Sequence, residues 1–479
     1  MKNLNKNLIT LAVISSFGLA ACGGGGGSDT SPNSNNNQAA SSSTVTGVIT
    51  GFGSIFVDGV KYETDTSSFT VDDNASSEDQ LAVGMVVTLT GTVNADGTTG
   101  VANSVTFSNE LEGVVIANSF LADGTLNIMG QNIITSTETV FESQVPTITS
   151  IDQIATGNIV EVSGYSSGVG DIHATRLEVK KAAQEVSDEI EVKGLVSNLN
   201  EVAQTFTLGN LSVDYSSATL EDISTLTNNL YVEIKSTQAL SGSTLVASKV
   251  ELEGDGSKDK SGDDGEEMEF EGIISSVGDN SSFVINGQTV HFDTTTEFEY
   301  GALENLVANA KIKVEGEFNA DGQLVAQEIK FKVSGDTELE GEVGAIDLEN
   351  NTVSLMGQTF HINNHTIMDD ERNEGVDEVR QFDIADLATS DWVEVKFYKD
   401  DQDRLIATKF ERDDPDEQWS IEGKIQTLDN DNSVITIAGV DIDFSSLNIT
   451  LTLNVGDEIE VEGSYANNTF SAIELELDD

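Results

Sequence analysis

Residues 314–329 read "VEGEFNADGQLVAQEI". Two runs of alternating apolar and polar residues flank a polar Asn-Ala-Asp-Gly step. Alternation with period two is the pattern of a strand that packs on one face and meets water on the other. A short step carrying Gly between two such runs is a hairpin signal. The stretch therefore predicts two antiparallel strands. It recurs with variation in six places, and that recurrence decides the fold.

Working outward from it, four landmarks repeat in constant order. The first is a strand carrying glycine: "VTGVI" at Gly47, "LEGVV" at Gly113, "VKGLV" at Gly194, "FEGII" at Gly272, "LEGEV" at Gly341 and "IEGKI" at Gly423. The second is a tight turn at Gly59, Gly130, Gly209, Gly287, Gly357 and Gly439. Asn286-Gly287 between "SFVI" and "QTVHF" shows its chemistry, since a primed hairpin turn needs positive φ. The third is an alternating strand, as in "EIEVEG", where Ile459 and Val461 face one way and Glu458, Glu460 and Glu462 the other. The fourth is a strand that opens on alanine: Ala102, Ala174, Ala247, Ala326, Ala407 and Ala472. The early glycine predicts a bulge or sharp bend, and the alanine a tight spot in the core.

Between the second and third landmarks lies a variable segment, such as "YGALENLVANAK", "LEDISTLTNNL" and "FDIADLATSD". Apolar spacing there predicts a short helix or helical turn. Strand, strand, strand, short helix, strand, strand is the order of a five-stranded OB barrel. The fold class is therefore mainly β: six small five-stranded OB-like barrels in tandem. The expected divisions are residues 44–109, 110–186, 187–254, 268–335, 336–416 and 417–479, with an acidic linker at 255–267. As a solvated linker it would be protease-sensitive, and cleavage there would release a pair of three-barrel halves.

The first residues read as an address. "MKNLNKNLITLAVISSFGLAAC" starts basic, with Lys2 and Lys6, and runs apolar over residues 8–20, long enough for a signal core and short for a membrane span. Leu19-Ala20-Ala21-Cys22 resembles the lipobox of bacterial lipoproteins at all four positions. The resemblance implies a signal peptide at 1–21, cleavage between Ala21 and Cys22, and acylation of Cys22. Gly23 after the cysteine implies the outer membrane or cell surface. Several acyl chains anchor stably where one does not. Residues 22–43, rich in Gly, Ser and Asn, read as a tether spanning about 25 Å as a flexible coil.

The repeat itself resembles a bacterial family of tandem domains of unknown function, number 5666. The resemblance rests on the Gly strand, the "NG" hairpin, "VEVEG" and the alanine strand, with "GFGSIFVDGVKYET" as the best local match. It implies an exported, often lipid-anchored context and an OB-like barrel. It implies no activity and no catalytic residues.

Charge and composition narrow the function. Acids outnumber bases 83 to 23, for a net charge of -60. Such a chain repels phosphate backbones and anionic headgroups, so no nucleic-acid partner is expected. The single cysteine excludes an intramolecular disulfide. Catalysis is not expected. "GYSSG" at 164–168 has the spacing of a nucleophile elbow, but it lies between two strands where the elbow needs a helix. Of the four histidines only His361 and His365 lie close, in "HINNH", and their spacing of four shares a face on a helix but not reliably on a strand or loop.

Calcium is the better candidate, although no cofactor is required. Asp255, Ser257, Asp259, Ser261, Asp263 and Glu266 fall at the ligand positions of an EF-hand-like loop. Lys260 stands where that loop needs glycine, and no flanking helices are evident. Exposed aromatic platforms for sugar are few, and Trp392 occupies a strand position expected to be core. The expected function is a lipid-anchored, non-catalytic binding or spacer module with a protein or glycan ligand and a membrane contact through its lipid. The alternatives are a calcium-dependent adhesin or matrix component and, third, an enzyme.

Overall fold

The computed structural model describes residues 42–477, except 187, 254–259, 263, 279–280, 334, 336, 373–378, 380–381, 401, 416–417 and 448–451. Cys22, Ala21, Asp255, Ser257, Asp259 and Asp263 lie outside the described residues.

Barrel 4 shows the architecture. Its five strands are Glu267–Gly278, Ser282–Ile285, Gln288–His291, Lys311–Phe318 and Leu324–Phe331. The first pairs antiparallel with the second and the second with the third. The third runs parallel to the fifth, the fifth antiparallel to the fourth, and the fourth returns to the first. The circuit closes the barrel, while the opening half of the first strand, before Ile274, pairs on one side only within it. The same circuit holds in barrel 2 and barrel 5.

The repeated residues acquire causes. Five hairpin tips place a non-glycine residue at φ near 50° before a glycine near 80°: Asp58-Gly59, Met129-Gly130, Asn286-Gly287, Met356-Gly357 and Ala438-Gly439. In barrels 2 and 4 the tip side chain folds back onto the first strand. A Cβ on Gly113 would overlap Met129, and one on Gly272 would overlap Asn286. Asn286 Nδ2 donates to the Glu271 carbonyl at 2.8 Å. The first glycine thus serves close approach. The bulge expected there lies two to four residues further on, as at Ile274/Ser276. The glycine ending "VEVEG" is the true bulge: registers shift at Glu315/Gly316 and Glu462/Gly463.

The repeated alanines are buried in all six copies. In five copies their carbonyls accept from a hydroxyl upstream: Ser67, Thr139, Thr296, Thr366 and Ser446. This clamp leads into a short strand that the sequence reading did not foresee. Ser68–Val71, Val140–Ser143, Thr219–Glu221, Glu297–Glu299 and Ile367–Asp370 each run parallel to the fifth strand of their barrel. The helical element that follows is a single 3-10 turn at Glu78–Gln80, Ile151–Gln153, Leu303–Asn305 and Ile384–Asp386. In barrel 3 the "LEDISTLTNNL" segment holds the short strand and turns instead, with Asp222 at φ 55° breaking any helix.

The barrels are not beads on a string. The first strands of barrels 1 and 4 pair in parallel through Thr44↔Met268, Val45↔Glu269 and Thr46↔Phe270. Barrels 2 and 3 pair antiparallel at Glu112↔Glu191 and Leu111↔Val192, and barrels 5 and 6 at Leu339↔Ile421 and its neighbours. Barrels 2 and 3 share one apolar core, as do barrels 5 and 6. The core of barrel 1 takes in Val140 of barrel 2 and Ile367 of barrel 5. Barrel 1 is also bound to barrel 2 by Arg176, whose Nη1 donates to the Val83 carbonyl at 3.2 Å. Residues 40–479 form one unit.

The linker reading changes accordingly. Gln288 holds the Lys260 backbone on both sides, at 2.8 and 3.1 Å, and Gly262 lies against the Phe318 ring. Because barrel 1 pairs with barrel 4, a cut between barrels 3 and 4 does not release separate halves. With a specific protease site inserted at 254–259, the nicked chain is expected to elute as one particle in size-exclusion chromatography with light scattering. Two separate species under native conditions would contradict the strand pairing.

A charged junction of four barrels

Barrels 1, 2, 4 and 5 meet at a cluster of buried charge. Its anchor is Asp58, 5% exposed, at the hairpin tip of barrel 1. The primed turn at Asp58-Gly59 aims the carboxylate out of its own barrel and into barrel 4. Lys313 reaches Oδ2 and Lys332 reaches Oδ1, both at 2.9 Å. Lys313 also pairs with Glu269 at 3.0 Å and Glu315 at 2.7 Å. Lys332 pairs with Glu271 at 3.1 Å, and Lys311 joins Glu271 to Glu138 of barrel 2 at 3.3 and 2.8 Å. Barrel 5 closes the ring: Thr50 Oγ1 donates to the Asn364 carbonyl, and Asn364 Nδ2 donates to the Gly59 carbonyl, both at 3.0 Å. The His365 ring lies against Gly59, where any Cβ would overlap it.

The electrostatics follow from enclosure. Burial alone would raise the Asp58 carboxyl, but Lys332 and Lys313 outweigh it and hold the group well below the usual carboxylate range. Burial raises Glu269 to about 8, with Lys313 opposing. Although His365 keeps an exposed edge, desolvation by the barrels around it and then Lys332 push its imidazole down to about 4, so it is neutral near pH 7.

These groups line a pocket of about 180 Å³ between the four barrels. Lys311, Lys330 and Lys332 contribute to its wall, as do Asp58, Glu138 and Glu271, the carboxylates paired with Lys311 and Lys332. Tyr300 and Tyr398 complete it together with Asn363 and His365.

The sequence-level candidates fare differently. Of the EF-like set only Ser261 and Glu266 are described. Ser261 lies against Gly322, and the Glu266 carbonyl accepts from the Phe318 amide at 2.9 Å. "GYSSG" spans the end of one strand and a turn, with the next strand starting at Asp171. His361 ends a strand of barrel 5, while His365 stands in the loop beyond and faces barrel 1. Among the described residues two carboxylate groups come close enough to share a cation: Asp73, Glu233 and Glu251, and Asp369, Glu371 and Glu411. Lysines already serve as counterions there, Lys235 at Glu233 and Lys409 at Glu411.

Sequence reasoning missed the junction, although a signal was present. Three residues before the "VEVEG" glycine, the other copies carry Thr88, Glu161, Glu233, Glu394 and Glu460. Copy four carries Lys313. Likewise Asp58 is the one acid among the tip residues.

Both tryptophans of the chain meet at the seam of barrels 5 and 6. Trp392 is 3% exposed, as the sequence suggested for core, and its Nε1 donates to Glu340 at 2.7 Å. It meets Trp419 edge-on at 5.5 Å, and Trp419 meets Tyr465 at 5.4 Å. A Cβ on Gly341 would overlap the Trp419 ring.

The comparisons with known proteins concern the repeats. The family model described as "Domain of unknown function (DUF5666)" matches six times, at residues 44–106, 112–178, 193–251, 271–330, 340–411 and 422–476. The chain belongs to that family. No curated protein matches it. One solved structure is similar at 12% identity over 44% of this chain and 73% of its own: a multidomain protein with nucleic acid binding domains from Streptococcus pneumoniae. Its TM-score of 0.10 carries no argument.

The buried charges have measurable consequences. Asp58→Ala leaves Lys313 and Lys332 facing each other without their shared anion, and it should cost about 3–5 kcal/mol in denaturant unfolding. Because the Asp58 carboxyl is depressed in the fold, its contribution is present at neutral pH. It is lost as pH falls below about 4. Asp58→Asn should remove that share of the acid dependence, and an unchanged acid profile would count against the cluster.

At the barrel 5–6 seam the sign is opposite. Burial lifts Glu338 to about 8, helped by Glu394 and opposed by Lys396, and burial with Glu411 lifts Asp413 to about 8. The unfolded chain releases these protons near pH 4, so stability falls between about pH 4 and pH 8. Tryptophan fluorescence should therefore report a lower melting temperature at pH 9 than at pH 5. An equal or higher value at pH 9 would contradict the seam.

Proposed function

We propose that the chain is a lipid-anchored, non-catalytic binding protein of the outer membrane or cell surface, whose ligand site is the junction between barrels and not the face of any one barrel. What supports the binding role is the pocket: four barrels contribute to a single concave, part-open wall of paired charges, tyrosines, an imidazole and apolar side chains such as Phe331 and Ile406. Specific small-ligand sites combine enclosure with a few convergent polar groups in this way. What supports the anchor is the Leu19-Ala20-Ala21-Cys22 sequence and the polar residues that follow it. The net charge of -60 supports a partner other than nucleic acid. Among the described residues of the junction none is placed as a nucleophile with its base, which is why catalysis does not enter the reading.

The anchor is tested by fractionation and acyl labelling in the native host. The wild-type chain is expected in the membrane fraction and labelled by a fatty-acid probe. Cys22→Ser is expected to lose the label and move to the soluble fraction. Retention of label by Cys22→Ser would overturn the anchor.

A further inference from the structure

We propose that the pocket at the junction of barrels 1, 2, 4 and 5 binds one neutral sugar ring, free or at the end of a glycan. The inference rests on the reading of the chain as a binding protein and names the ligand class of that site.

The wall decides between ligand classes by its charge balance. Lys311 is shared by Glu138 and Glu271, and Lys332 by Asp58 and Glu271. Lys330 pairs with Glu299 at 3.1 Å. An anion entering the pocket would compete with carboxylates already in place, and a cation would compete with lysines already in place. Either exchange removes a buried partner, which is costly. An apolar ligand would meet Phe331, Val333 and Ile406 in the wall but would strip water from these charges without replacing its hydrogen bonds. A hydroxyl competes with neither sign. An ammonium has three N–H donors, and a carboxylate has about four acceptor positions. Lys311 and Lys332 each show two carboxylate partners, so one donor on each remains for a ligand oxygen. A sugar hydroxyl accepts from such a lysine and donates to Glu138 or Glu271 in the same pose.

The uncharged portion of the wall fits the same ligand. Tyr300, 69% exposed, and Tyr398 offer ring faces for the C–H side of a sugar. The hydroxyls of Tyr300 and Tyr398 and the His365 imidazole have no hydrogen-bond partner among the described residues. A neutral imidazole gives one donor and one acceptor, which suits a diol. Tyr300 is held at φ 54°, an unusual state for an aromatic residue, with Lys330 over its ring at 5.2 Å. The volume of about 180 Å³ falls below the range of drug-sized sites and suits a single ring.

The probe set is neutral monosaccharides (glucose, galactose and N-acetylglucosamine), with glucuronate and glucosamine as charged controls. Each is titrated by calorimetry against the full chain in detergent at pH 7. At least one neutral sugar is expected to bind, and the charged controls more weakly. An oligosaccharide ending in the same sugar, compared with the free sugar, separates a glycan end from a free ligand. Tyr300→Ala, at an exposed position, should weaken binding about tenfold and leave the melting temperature of the free protein unchanged. Tyr398→Phe keeps the ring and should weaken binding less. The proposal is overturned if no neutral sugar binds at tens of millimolar, if the charged controls bind equally well, or if Tyr300→Ala binds as the wild type does. Binding of a zwitterion such as glycine in place of sugar would overturn the sugar assignment and leave the binding reading standing. The membrane-fractionation result is independent of all these outcomes.

Discussion

The structure depends on where a very acidic chain spends its few cations. With 83 acids against 23 bases, any two barrel surfaces repel unless a base lies between them. Lysines and arginines are accordingly drawn into the seams. Lys311, Lys313 and Lys332 fasten barrels 1, 2 and 4. Arg176 fastens barrel 2 to barrel 1, and Lys193, whose backbone amide donates to the Glu110 carbonyl, stands on the seam of barrels 2 and 3. Exposed surface salt bridges contribute little, but these pairs are enclosed, and losing one partner leaves a charge with no water to hold it. The outer surface is left strongly anionic, which favours solubility and sets the barrels against unspecific association.

Small size explains why the barrels dock at all. A barrel of about 60 residues buries too little apolar surface to be more than marginally stable. Fusing cores, as barrels 2 and 3 and barrels 5 and 6 do, enlarges the buried volume without lengthening the repeat. Pairing first strands does the same for backbone groups, since the edge that a small barrel exposes becomes an interior position of a larger sheet. The pocket is a product of this docking. It exists where four convex barrels cannot fill the space between them, and the residues around it are those that also hold the barrels together.

The repeat was legible because its signals are local. Alternation in "EIEVEG", the Asn286-Gly287 turn and the buried alanines each depend on a few neighbouring residues, and the structure gives each a place within one barrel. The short parallel strand after the hydroxyl clamp was not legible. Segments such as "TLE" at 219–221 are too short to show a period, and their partner is the far end of the barrel. The docking was less legible still. Asp58, Lys313 and His365 lie far apart in the chain, and each reads locally as an ordinary solvated residue of a turn, strand or loop. Only comparison between copies, where Lys313 replaces glutamate, could have marked the exception. The EF-like spacing at 255–266 was legible as a pattern, but Lys260 is held by Gln288 of barrel 4, an attachment that no spacing rule contains.

The central claim is that six repeats form one body and not a string. Small-angle X-ray scattering on a chain beginning at Ala40 tests it most directly. A single body of that length is expected to have a radius of gyration of about 22 Å, with a symmetric distance distribution. A much larger radius, with a distribution carrying regularly spaced shoulders and a long tail, would show separate barrels and contradict the account.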